Sequence, residues 1–195
     1  MRSVVSIDVG APPEVVFDLV RNVERWAVLL PHYRSVRALR RSRDGSLLAA
    51  YVAMLPGPLG LSVPVPWRSW SSSDPETREL RFRHAGGVTD GMQVTWRIER
   101  VPSGSRVAIE HRFVRPLPVL RRLGAGRTDE LIPLLVDRLV VRPIAGRTLE
   151  AVRAAAESQS HAQVAGCTGA SAGQPRSAGC PADPSDSPRP SGTLR

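Results

Sequence analysis

Val5, Ile7 and Val9 alternate with Ser6 and Asp8, the period-two pattern of a strand with one wet face. Ala11-Pro12-Pro13-Glu14 then reads as a helix start, because proline is tolerated in the first turn and an acid there suits the macrodipole. Val15, Val16, Leu19 and Val20 give that helix its apolar stripe, and a second short helix from Glu24 to Leu30 is stopped by Pro31. Six strand-like runs follow: Tyr33 to Arg41, Ser46 to Met54, Ser62 to Ser72, Arg78 to His84, Met92 to Arg100 and Arg106 to Val114. Turn signals separate them, among them Arg43-Asp44-Gly45, Ser73-Asp74-Pro75-Glu76, Gly86-Gly87 and Pro102-Ser103-Gly104. The clearest alternation sets Met92, Val94, Trp96 and Ile98 against Gln93, Thr95, Arg97 and Glu99, so the meander has one solvated face.

Helical spacing returns from Leu131 to Glu157, where Pro143 must kink or divide the helix. Ile144, Ala145, Thr148, Leu149, Val152 and Ala156 form one face to lay on the sheet. The predicted class is α+β: a curved antiparallel sheet of about seven strands around a long C-terminal helix, with two short helices after the first strand. The space between sheet and helix is a natural site for a hydrophobic ligand.

Of the 195 residues, 42% are hydrophobic and 23% charged, which suits one globular domain with a spare segment. From about Gln159 the chain is largely Ala, Ser, Gly and Pro, a composition that buries too little apolar surface to offset its ordering entropy. The working domain is therefore expected at residues 1–158 and a disordered tail at 159–195. All 27 basic residues are arginine, against 18 acids. A formal charge of +9 favours acidic partners, while an absence of lysine also fits a coding bias spread over the surface. Cys167 and Cys180 fall in the low-complexity segment and have no metal-ligand spacing, so a reducing compartment is the default. No secretory signal pattern opens the chain, and Leu131 to Val141, interrupted by Asp137 and Arg138, is too short to cross a bilayer. A soluble, cytoplasmic protein without metal or cofactor is expected.

Common catalytic motifs are absent: no G-x-S-x-G elbow, phosphate loop or zinc spacing, and Gly86-Gly87-Val88-Thr89-Asp90-Gly91 reads as a turn. Parity along the strands is more useful, since side chains two apart share a face. His111 shares its face with Val107, Ile109 and Phe113, and His84 shares its face with Leu80 and Phe82. Each is either a proton carrier beside an apolar cavity or a hydrogen-bonded core histidine. Tyr33 is either a donor to a ligand carbonyl or a core aromatic. Trp67 and Trp70, three apart, fall on opposite faces unless a bulge intervenes, and at least one of Trp67, Trp70 and Trp96 lines the interior. The apolar loop Met54-Leu55-Pro56-Gly57-Pro58-Leu59-Gly60 is either a lid over the cavity or a loop packed on the sheet edge. The candidate binding residues are Trp67, Ser69, Trp70, Phe82, Met92, Trp96, Phe113 and Leu149.

Ala11-Pro12-Pro13-Glu14-Val15-Val16-Phe17-Asp18, Val23-Glu24-Arg25-Trp26 and Leu30-Pro31-His32-Tyr33 look like the opening shared by bacterial aromatase/cyclases and coenzyme Q-binding proteins. Gly91-Met92-Gln93-Val94-Thr95-Trp96, Pro102-Ser103-Gly104-Ser105-Arg106 and Phe113-Val114-Arg115-Pro116-Leu117-Pro118 are similar to the aromatase/cyclase branch. Over residues 3–157 the chain thus resembles the SRPBCC superfamily, which holds START, polyketide cyclase and birch-pollen-allergen-like proteins. That resemblance implies a helix-grip fold around a deep hydrophobic cavity, in which Tyr33 and Arg83 help orient a poly-β-ketone. The branch's Trp-x-Ser-x-Arg motif appears as Trp67-Arg68-Ser69-Trp70-Ser71, with serine in the arginine's place. Parity also sets Arg83 opposite Phe82 and His84, so an inward Arg83 requires a bulge or a position at the cavity mouth.

Three functions remain open at this level. The first is a polyketide cyclase/aromatase-like enzyme, with Tyr33 and Arg83 as donors and His111 or His84 as proton carrier. Its substrate would arrive on an acidic acyl carrier protein drawn by Arg34, Arg37, Arg40, Arg121 and Arg122. The second is a non-catalytic carrier of a quinone, isoprenoid or lipid. The third, a nucleic-acid surface, is disfavoured because Glu79 and Glu99 interrupt the face of Arg81 and Arg97.

Overall fold

The computed structural model describes residues 1–57, 60–87, 89–113 and 131–169. Pro58-Leu59, Val88, Val114 to Pro118, Arg121, Arg122 and the segment beyond Gly169, all of which enter the sequence expectations, lie outside the described residues.

Strand β1 (Arg2–Val9) leads into helix α1 (Pro13–Val20), whose first residue is a proline at a position needing no N–H donor. A single 3₁₀ turn (Val23–Arg25) runs into α2 (Trp26–Leu29). Six strands follow as a meander: β2 (Tyr33–Arg41), β3 (Leu47–Pro56), β4 (Ser62–Asp74), β5 (Glu79–Gly87), β6 (Met92–Val101) and β7 (Gly104–Phe113). They form one antiparallel sheet of seven strands in the order β1-β7-β6-β5-β4-β3-β2. Register shifts at Tyr33/Ser35, Ala38/Arg40 and Trp67/Ser69 add the local twist that bends the sheet.

The β6–β7 turn passes directly beneath the end of β1. Gly104 has φ +132°, and a Cβ there would stand 2.4 Å from the Val9 carbonyl oxygen. The adjacent Ser105 Oγ donates to Ala11 O at 2.6 Å, tying that turn to the entry of α1.

The C-terminal helical segment comprises α3 (Leu131–Val136), a π-helical turn (Asp137–Val141) and α4 (Arg142–Gly169). The widened turn accommodates Pro143, which has no N–H to donate, and the Arg142 N–H reaches the Asp137 carbonyl five residues back. The proline therefore changes the pitch of the helix without dividing it. α4 continues to Gly169, past Gln159, where the composition changes. Its buried stripe of Ala145, Leu149, Val152 and Ala156 lies in one core with Val9, Val16, Trp26, Tyr51, Trp96 and Val107.

Candidate functional site

Alternation along the strands aims the inner-face side chains into the concavity. On β3, Leu47, Ala49, Tyr51, Ala53 and Leu55 are buried and the residues between them are not. Tyr51 and Trp67 are direct cross-strand partners, and their rings stack at 5.2 Å with planes 6° apart. The Trp67/Ser69 register shift brings His84 against the other face of that indole, at 5.9 Å and 12°. An aromatic stack thus runs across β3, β4 and β5. Trp26, placed by α2 and anchored by its indole N–H on Val20 O, meets Tyr33, Tyr51, Phe82 and Trp96 with ring centroids 5.3 to 6.2 Å away.

These rings fill much of the interior. What remains is a mostly apolar cavity of about 70 Å³ between the sheet and the Val140–Thr148 stretch of the helix. A single water needs roughly 10–15 Å³ of such space.

Three titratable groups from the sequence reading meet at this cavity: Tyr33, His84 and His111. Burial drives the His84 imidazole down to about 3, with His111 nearby acting in the same direction. Burial also drives His111 down to about 4, opposed by the charge of Asp137. Both rings are therefore neutral at pH 7. His84 Nδ1 shares a hydrogen bond with Thr89 Oγ1 at 2.6 Å across the β5–β6 turn. Burial raises the Tyr33 phenol above its ordinary value, with Thr148 partly offsetting, so the hydroxyl stays a donor. The Thr148 hydroxyl donates to Ile144 O at 2.8 Å, and His32 Nε2, 2.9 Å from Thr148 Oγ1, is therefore the donor to that hydroxyl. His32 in turn is pushed down to about 4, by burial first and by Arg147 second.

Trp67, Phe82, Met92 and Trp96 line the cavity. Ser69, Phe113 and Leu149 do not. Ser69 Oγ turns to the Trp70 carbonyl, Phe113 packs against the core's edge and Leu149 is sealed within the core. Two expectations need correction. Trp70 and Arg83, cross-strand partners, lie on the outer face of the sheet beside Gln93 and Thr95. Strict alternation from Phe82 keeps the exposed Arg83 outside, so the inward arginine implied by the resemblance is not there. The inward position of the Trp-x-Ser-x-Arg motif is filled by Ser71, which is buried and donates to Leu47 O at 3.2 Å.

The sequence reading missed Trp26, Tyr51, Thr89 and Asp137. Tyr51 stands in register with Ala49 and Ala53, and parity would have found it. Asp137 interrupts an apolar run at the helical spacing of Val141 and Ala145, which is itself a sign of a buried carboxylate.

On the outer face the acids are paired instead. Glu110 receives Arg2, Arg97 and Arg112 at 2.7 to 3.2 Å, which holds its carboxyl down at about 2. Glu79 bonds Arg81 and Arg97, so these arginines are committed. Among the described residues no cluster of His, Cys, Asp or Glu has the arrangement of a metal site, and no helix is long and apolar enough to cross a membrane.

A family model described as polyketide cyclase/dehydrase and lipid transport matches residues 9–140. A Streptomyces cyaneus protein named "Putative polyketide cyclase" is 29% identical over 124 residues, 63% of this chain and 78% of that protein. Among solved structures, a Thermus thermophilus protein superposes with a TM-score of 0.58 at 22% identity, over 80% of this chain and 99% of its own. The Zhui aromatase/cyclase of a Streptomyces species gives 0.60 at 19% identity, over 80% and 93%. At such identities these structures speak for the fold: the seven-stranded sheet gripping a long C-terminal helix is a helix-grip fold.

Proposed function

Because this chain belongs to the polyketide cyclase/dehydrase and lipid transport family, we propose that it binds a hydrophobic poly-β-ketone in the apolar cavity and assists its aldol closure and dehydration. The observation that carries this reading is the convergence of two neutral imidazoles and a protonated phenol on one apolar space. A methylene between two carbonyls is acidic, and an imidazole at the wall removes its proton. The carbanion attacks a second carbonyl carbon, and the Tyr33 hydroxyl hydrogen-bonds the oxygen on which charge develops. The imidazolium returns the proton to that oxygen, giving the aldol. A second proton removal and protonation of the hydroxyl then expel one water. The apolar walls keep bulk water from competing, and shape selects which carbons meet.

An acidic acyl carrier protein is the proposed donor, drawn by the exposed Arg34, Arg37 and Arg40 of β2. The test adds the purified protein to a minimal polyketide synthase. Appearance of a regiospecifically cyclised product supports the reading, and a product pattern unchanged from the synthase alone overturns it. Tyr33→Phe and His111→Gln should lower the cyclised product about a hundredfold or more.

A second reading, a non-catalytic carrier of a quinone, isoprenoid or lipid, is favoured by Arg83 facing away and by Ser71 in the motif arginine's place. Native mass spectrometry of gently purified protein distinguishes it by a retained apolar ligand together with a negative cyclisation assay.

A further inference from the structure

Three buried polar atoms have no hydrogen-bond partner among the described residues: Ser3 Oγ, Asp137 Oδ1 and Nδ1 of the cavity-lining His111. Orphans of this kind are rare in folded proteins and call for a partner. Their residues are 3%, 6% and 2% exposed, so bulk water does not satisfy them. Ser3 and His111 are direct cross-strand partners of β1 and β7, both on the inner face. Asp137 stands on the helix stripe of Val141, Ala145 and Leu149, close enough to His111 for its charge to act on the ring. The other Asp137 oxygen, Oδ2, accepts from Arg142 Nε at 2.8 Å. The π-helical turn that carries Asp137 is a rarity that gathers at functional sites.

We propose that Ser3, His111 and Asp137 form one buried polar site that holds a single water, and that through it Asp137 keeps the imidazole proton of His111 on Nδ1 and leaves Nε2 open to the cavity. A buried water makes two to four hydrogen bonds, and this site offers a hydroxyl, a ring nitrogen and a carboxylate oxygen. The carboxylate is acceptor only, so the water donates to it. The second water proton goes to Ser3 Oγ, and the water oxygen accepts from His111 Nδ1–H. Nε2 then carries the lone pair. The site rests on the cyclase reading only for its use in turnover, where Nε2 would be the base and Asp137 a positioning residue. The other groups bearing on His111 are the neutral His84 from β5 and Arg142 through Asp137, while Glu110, its neighbour on β7, points to the opposite face.

The test reads the ring itself and needs no substrate. The full chain is labelled with ¹⁵N-histidine, and His111 is assigned by the signals lost in His111→Gln. The wild type is expected to show His111 as the Nδ1–H tautomer at pH 7. In Asp137→Asn the amide can donate toward the ring, so the Nε2–H form should rise several-fold, as a carboxylate-to-amide change does in a serine-protease triad. Ser3→Ala should shift the His111 ring signals by a smaller amount in the same direction. An Nε2–H tautomer in the wild type, or His111 signals unmoved in Asp137→Asn, overturns the proposal. If Asp137→Asn does not fold, the wild-type tautomer and the Ser3→Ala shift decide between these outcomes. A negative cyclisation assay has no bearing on any of these readings.

Discussion

Glu110 and His111 are neighbours on one strand and live in different chemistries. On the outer face, Glu110 sits amid three guanidiniums, and its bonding capacity is saturated. On the inner face, His111 is neutral, one of its nitrogens has no partner among the described residues, and of the nearby Asp137's oxygens one is paired there, by Arg142. The contrast teaches what each face is for. The outer face uses charge to neutralise charge, and its groups have little left to give a ligand. The inner face uses burial to hold ionisable groups uncharged and incompletely bonded, a state that costs stability and is useful only if something else completes it.

Loss of packing should separate the two faces most strongly. Trp26→Ala removes the ring that touches four others, and should cost about 3–5 kcal/mol in urea unfolding. Trp70→Ala, on the outer face, should cost clearly less, and equal losses would break the comparison.

Acid comes next. His111 has a folded value of about 4 against 6.5 unfolded, so the unfolded chain takes the proton first. Stability is therefore full above pH 6.5 and falls as the pH drops toward 4, by roughly 3 kcal/mol for a 2.5-unit gap. His111→Gln should make that limb of a stability-against-pH curve shallower without removing it, since His84 and His32 are depressed in the same window.

Glu110 answers in a lower window. Its folded value is depressed to about 2 from 4.5, so its contribution is present above pH 4.5 and disappears between 4.5 and 2. Its arginine partners are 43% to 62% exposed, so Glu110→Gln should cost only about 1 kcal/mol at neutral pH, with wild type and variant converging near pH 2.

The smallest effect belongs to Arg83→Ala. Placed outside the cavity, it should change stability by less than about 0.5 kcal/mol and leave apolar ligand binding, followed by native mass spectrometry, unaltered. A large loss of binding would draw the outer face into the site and erase the distinction.

The succession of strands, the two short helices and the inward faces of β1, β5, β6 and β7 were legible because period-two alternation is a local property of the chain. Parity assigns a face but not a depth, which is why Trp67 and Phe82 reach the cavity while Ser69 and Phe113 do not. It outperformed the family motif at Arg83, since a strand without a bulge at that point cannot turn one side chain over. Trp26 was hidden because a four-residue helix carries too little periodicity to say where its indole docks. The spacing of Asp137 from Val141 and Ala145 signals its burial, but the widened turn that carries it and its pairing with Arg142 are not visible in a pattern of apolar residues.

The sheet is not closed, and β1 and β2 are its two rims. An open rim of backbone donors and acceptors is a template on which another molecule can stack and start a fibril. Here β2 carries the exposed Arg34, Arg37 and Arg40 and is interrupted by two register shifts. Two copies approaching along that rim would meet like charges and a broken ladder, so part of the chain's wealth of arginine protects it from its own kind.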